Sequence, residues 1–313
     1  LLLHLFLALG GGSLATSPPR CPRAVGVWSQ CYARTSMRPA LWLALFTFAV
    51  ATAARAVTAD LTDVDRAFHR LYNYDFAGAH AVLDEALSVR PQDPLLHGVR
   101  GAVLLYSEVD RLQLLELEFF ADDDQGTDRQ RLKPDPAARE RLFSATAETR
   151  RLALERLAIE PDDGDAMFAL CTAIGVESDY FGLVEKRYLR TYALSKESQR
   201  FARHLLALDP PFYDAYLTLG SVEYVVSNLN FFFRLFVRFE DIEGSKQKAI
   251  ENLRQVVRHG RYYRPFAKIL LAAIHAREDE PRQALVLLRE VEREFPENSL
   301  VHKEIRRLEA KIR

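Results

Sequence analysis

The residues of this chain best able to do chemistry are few and far apart. Asp122, Asp124 and Asp128, in ADDDQGTDRQRLKPDP, alternate as oxygen ligands for a hard cation would. Gly126 is misplaced for a calcium-binding loop, however, and no bidentate Glu follows at the required distance, so the stretch reads as a solvated surface loop. Cys171 lies in AMFALCTAI with no basic neighbour to favour its thiolate, and is expected to act as a small buried hydrophobe. His69, His80, His97, His204, His259, His275 and His302 are scattered, and none pairs one helical turn from another ligand type in a metal pattern. There is no Gly-rich phosphate loop, G-x-S-x-G, H-E-x-x-H or paired-Cys motif. Glu278 and Asp279 sit in a turn, where solvation accounts for them. No catalytic residue, metal ligand or cofactor is expected, and the chain does not read as an enzyme.

One stretch is unusual in another way. NLNFFFRLFVRFEDIEG carries Phe231, Phe232, Phe233, Phe236 and Phe239 interleaved with Arg234 and Arg238. That is more aromatic surface than one helix stripe needs, and the two Arg share a helical face, as on a helix lying at a membrane interface. Core packing of this insertion is the plainer expectation. The alternative is an apolar face made by Phe232, Phe233 and Phe236, with Tyr180 to Tyr192 completing a mouth for a lipid or another apolar ligand.

The elements behind these residues are helical. In PFAKILLAAIHAREDEPRQALVLLREVEREFP, Ile269, Ala272, Ala273 and Ala276 mark one apolar face, and Ala284, Leu287, Leu288 and Val291 mark a second. Pro281 suits a first turn and Pro296 stops the second helix, so the two fold back on each other, with Ala272 and Ala284 allowing close contact. Ala79, Leu83, Ala86 and Pro91 repeat the spacing of Ala284, Leu288, Val291 and Pro296. Further helices are expected over 95–120, 137–159, from Ala166, over 199–209 and over 246–257. Tyr216, Leu219, Gly220 and Tyr224 open another repeat, in which Gly220 would admit a neighbouring helix.

Leu271, Ala272, His275, Ala284, Leu288, Val291 and Pro296 occupy the consensus positions of the tetratricopeptide repeat, with departures at His275, Leu288 and Val291, and the chain resembles that family. Residues 213–299, from DPPFYDAYLTLGSVEY through HGRYYRPFAKILL to REFPENS, resemble its exported bacterial members and, more distantly, the inclusion-body clearance protein group. The resemblance implies an all-α superhelix of about five or six helix pairs, clearest at 60–93, 213–227 and 265–298. It also implies a scaffold whose first helices line a concave groove for a protein or peptide partner. The family's groove positions fall on Asp214, Leu217, Ser221 and Tyr224 in one repeat, and on Phe266, Ile269, Ala273 and Arg277 in the last.

Composition agrees with a folded chain: 49% of residues are hydrophobic and 27% charged. Residues 1–56 hold five Arg and no acidic residue, leaving 37 of the 42 Lys and Arg against 43 Asp and Glu beyond them. The body is acidic, which argues against a general nucleic-acid binder. MRPALWLALFTFAVATAARA, residues 37–56, has the charged start, short apolar core and small terminal residues of a signal peptide, with cleavage expected after Ala56 and a periplasmic destination. Met37 is the expected start, with residues 1–36 a leader or disordered segment and residues 57–313 the repeat domain. A membrane-surface role is the secondary expectation for partners.

Overall fold

The computed structural model describes residues 61–115, 133–228 and 244–312, and among these eleven helices follow one another with no strand. They are α1 (Asp63–Tyr72), α2 (Phe76–Val89), α3 (Pro94–Arg111), α4 (Pro136–Ile159), α5 (Gly164–Asp179), α6 (Tyr188–Ala207), α7 (Tyr216–Asn228), α8 (Lys246–His259), α9 (Arg264–Arg277), α10 (Pro281–Glu294) and α11 (Ser299–Ile312). A π-helical turn, Tyr180–Val184, extends α5, and a 3-10 turn, Tyr213–Ala215, leads into α7. Thr62, Asp75, Asp93, Asp135, Asp163 and Ser245 each accept a first-turn N–H from the helix they precede, which sets where six of these helices begin. Pro94, Pro136, Pro265 and Pro281 stand in first turns, where the missing N–H has no helical partner to lose.

Neighbours in sequence are neighbours in space. Five helix pairs, α1/α2, α3/α4, α5/α6, α7/α8 and α9/α10, succeed one another with α11 packed on the last, and α1 also meets α3 as α3 meets α5. This is an all-α superhelical solenoid. The pairs pack closely because small residues sit at their crossings: Ala272 and Ala284 are fully buried between α9 and α10. A Cβ on Gly220 would lie 3.0 Å from the Cβ of Asn252 and 3.1 Å from the carbonyl oxygen of Ala249, so α7 and α8 need a glycine there. The apolar stretch Gly164–Val184 is long enough to cross a membrane, yet most of it is buried, where α5 packs against α3, α4 and α6. Cys171 is buried within it.

One expectation needs correction. The single helix expected from Leu95 to Phe120 ends at Arg111, where Gln113 takes a left-handed backbone (φ 56°) that a continuous helix cannot include. The stretch from Asp179 to Ser195 comprises the end of α5, the π-helical turn and the start of α6, with Lys186 left-handed (φ 57°) at the bend.

Buried glutamates tie successive helices together. Glu108 of α3 accepts from Nε and a terminal nitrogen of Arg111, at 2.7 and 2.8 Å, and from the backbone N–H of Asp135 at 2.9 Å, just before α4. Glu223 of α7 accepts from the backbone N–H of Ser245 at 2.8 Å, at the cap of α8. In both pairs a carboxylate on the first helix holds the start of the second.

Candidate functional site

The superhelix closes on itself. Tyr72 of α1 donates its hydroxyl to the carbonyl of Tyr262 at 3.0 Å, and Asn298 donates to the carbonyl of Tyr72 at 2.7 Å. Arg261 grips Asp65 with two nitrogens, at 2.8 and 3.2 Å. Rings complete the seam: Phe68 stacks on Tyr262 at 5.4 Å, and Tyr72 meets Phe295 at 5.3 Å. The first helix is thereby clasped by the turns before α9 and α11.

Inside the seam, where an open groove was expected, lies a partly open cavity of about 80 Å³. A single water needs about 10–15 Å³ of such space, so there is room for a side-chain-sized group. The first helix of every pair contributes to its wall: Phe68 and Tyr72 from α1, Leu105 and Tyr106 from α3, Cys171, Thr172, Val176 and Asp179 from α5, Leu217 and Ser221 from α7, Phe266 from α9. Tyr263 and Asp214 add to it from the turns before α9 and α7. The hydroxyls of Thr172 and Tyr263 are 2.8 Å apart.

Asp214 is the most constrained polar group in the wall. It is 2% exposed and accepts the backbone N–H groups of Arg261 at 2.8 Å, Tyr262 at 2.9 Å and Tyr263 at 2.6 Å. Burial pushes its pKa up, against the effect of these three donors. Cys171 is also raised by burial, and lies 3.4 Å from the hydroxyl of Ser198.

Of the eight groove positions, Asp214, Leu217, Ser221 and Phe266 come together on the cavity wall. Ile269 and Ala273 are buried in the chain's own packing, with α3 and α10 residues in the same cluster. Tyr224 is half-buried and hydrogen-bonded to Arg277, whose residue is otherwise exposed; burial pushes the Tyr224 hydroxyl up to about 12. Phe232, Phe233 and Phe236 lie outside the described residues, as do Asp122, Asp124 and Asp128. Tyr180 and Phe181 are buried, and Tyr188 is the more exposed end of that stretch. Among the described residues no group of three His, Cys, Asp or Glu is placed to hold a metal ion.

The sequence reading did not single out Phe68, Leu71, Tyr72, Ala102, Leu105 or Tyr106 as site residues. The signal was present: the first three stand 34 residues before the last three, and all six line the cavity. That interval is the length of a tetratricopeptide repeat.

Fold and cavity define a class, an all-α superhelical solenoid with a side-chain-sized internal site. Comparison with protein-family models, with curated proteins and with solved structures gave no match.

Proposed function

We propose that this chain is an exported tetratricopeptide-type scaffold that captures a polypeptide partner by seating one of its side chains in the central cavity. The observation that carries this is the cavity's position and size: the first helices of all five pairs converge on it, and its volume of about 80 Å³ suits a single side chain. Drug-sized ligand pockets occupy about 300–1,000 Å³, and an acyl chain needs comparable room, so a lipid carrier is the poorer fit. Interfaces commonly concentrate their energy in one or two anchors seated in desolvated pockets. The 34-residue spacing of wall residues supports the repeat type, and the segment 37–56 supports export, with cleavage after Ala56.

Filling the cavity tests the proposal. Ser221→Leu puts an isobutyl group where the wall has a hydroxymethyl group. Thermal melting should stay within a few degrees of wild type, while crosslinked capture of envelope partners falls about tenfold or more. Equal capture of the same partners by a folded Ser221→Leu protein would exclude the cavity as the contact site.

A further inference from the structure

We propose that the outer face of α6, continued by α8, docks on a bilayer surface rich in anionic phospholipid. The described lining of the cavity comes from the first helices of the pairs and the turns before them, so the second helices, α6 and α8 among them, face away from it. Between Lys186 and His204 stand six Lys and Arg and one carboxylate, Glu197, although the chain beyond residue 56 is acidic. Leu189, Ala193, Lys196, Arg200 and His204 follow one another at helical spacing and are all exposed, a stripe about 22 Å long. α8 adds Arg254 and Arg258, also exposed, with Glu251 as its one carboxylate, and both helices pack on the turn Tyr213–Ala215.

The nearby carboxylates are engaged elsewhere: Glu185 pairs with Arg139 and Arg187, Glu197 with Arg150, and Asp162 with His204. Lys196 pairs with none of them, and Arg190 and Arg200 lie over rings instead, 4.5 Å from the centre of Phe181 and 5.3 Å from that of Phe201. At the start of the same helix Leu189 is 87% exposed and Tyr188 38%. All the large apolar side chains exposed among the described residues, except Leu61, stand on second helices. Cations on long apolar stems beside an aromatic and an aliphatic side chain suit a headgroup layer, where phosphates meet the charges and Leu189 and Tyr188 enter beneath them. A nucleic acid would use the cations but leave Leu189 in water. An acidic protein would need complementary shape as well as charge, whereas a fluid headgroup layer adapts to long, mobile side chains. This face shares no residue with the cavity wall, so the two readings stand or fall separately.

Flotation titrations test this on the full chain with two vesicle types, phosphatidylcholine alone and phosphatidylcholine with about 30% phosphatidylglycerol. Binding through an apolar segment elsewhere in the chain would be the same on both. Wild type should bind the anionic vesicles about tenfold or more tighter, with the advantage shrinking between roughly 50 and roughly 500 mM salt. Lys196→Glu/Arg200→Glu, checked for an unchanged melting curve, should lose about tenfold on the anionic vesicles. Arg306→Glu/Lys311→Glu, at exposed positions of α11, changes net charge equally and should bind as wild type does. Leu189→Asn should weaken binding about threefold and keep its salt dependence. If wild type shows no preference for the anionic vesicles, or the α11 variant loses as much as the α6 variant, this face is not a membrane-docking surface. Capture of soluble polyglutamate with no vesicle preference would assign it to an acidic protein instead.

Discussion

Asp214 shows how one side chain serves both fold and site. Its carboxylate gathers three successive N–H groups of the 261–263 turn, which have no helical partner because α9 begins only at Arg264. A hydrogen bond to a charged group is worth about 1.5–3 kcal/mol, and part of that is offset by burying the charge, so Asp214→Ala should destabilise by about 3 kcal/mol in urea unfolding. Asp214→Asn keeps one acceptor oxygen and should cost less, about 1 kcal/mol. Because folding raises the pKa of Asp214, its favourable contribution is complete below the ordinary aspartate range and declines as pH rises through the folded value. The stability gap between wild type and Asp214→Asn should accordingly narrow as pH is raised from about 4.

Between helices, the deciding quantity is how near two backbones can come. Gly220 lets α8 approach α7 until a Cβ would touch Asn252, Ala249 and Leu253 within 3.0–3.2 Å. Gly220→Ala removes the entropic penalty of a helical glycine but must push against backbone, which cannot yield as a flexible side-chain tip would. The net expectation is a loss of about 1–3 kcal/mol, read from the denaturation midpoint. A neutral or stabilising Gly220→Ala would mean that α7 and α8 are farther apart than described. The buried glutamates act at the same level. Glu223→Ala leaves the Ser245 N–H without its acceptor and should cost about 2 kcal/mol, whereas loss of an exposed pair such as Arg151 with Glu155 should be barely measurable.

For the molecule as a whole, the seam decides whether the concave side is a groove or a cavity. Its polar part is modest: Asp65 with Arg261, two hydrogen bonds at Tyr72, and the Glu297 N–H donating to Asn73 at 3.2 Å. Burial raises the pKa of Asp65, but hydrogen bonds from Arg261 and Thr62 outweigh it and hold the carboxyl below its usual value. Its contribution is therefore present above the ordinary aspartate range and lost as pH falls below it. In Arg261→Ala, hydrogen exchange in α1 should accelerate about fivefold at pH 7 while α5 is unaffected. Wild type should approach the variant's α1 exchange behaviour as the pH is lowered through the ordinary aspartate range and below it. Exchange that rises equally in α1 and α5 would mean that the seam does not open on its own.

The helical periodicity of faces such as Ile269, Ala272, Ala273 and Ala276, the prolines at first turns and the small residues at crossings are local properties. They were legible in the chain and determined helices, pairing and the solenoid class. The role of Gly220 was legible for the same reason, since a close approach within one repeat needs only neighbouring residues. What the sequence could not decide was the curvature accumulated over five pairs. Small rotations between pairs add up, and only their sum brings Asp65, Phe68 and Tyr72 against residues nearly two hundred positions later. Ile269 and Ala273 are buried among α3 and α10 residues and Arg277 lies outside, while the closure draws Asp214, Leu217, Ser221 and Phe266 around a cavity with Tyr72 and Tyr106. Contacts so distant in sequence leave no local pattern, so the tertiary structure alone set the size and chemistry of the site.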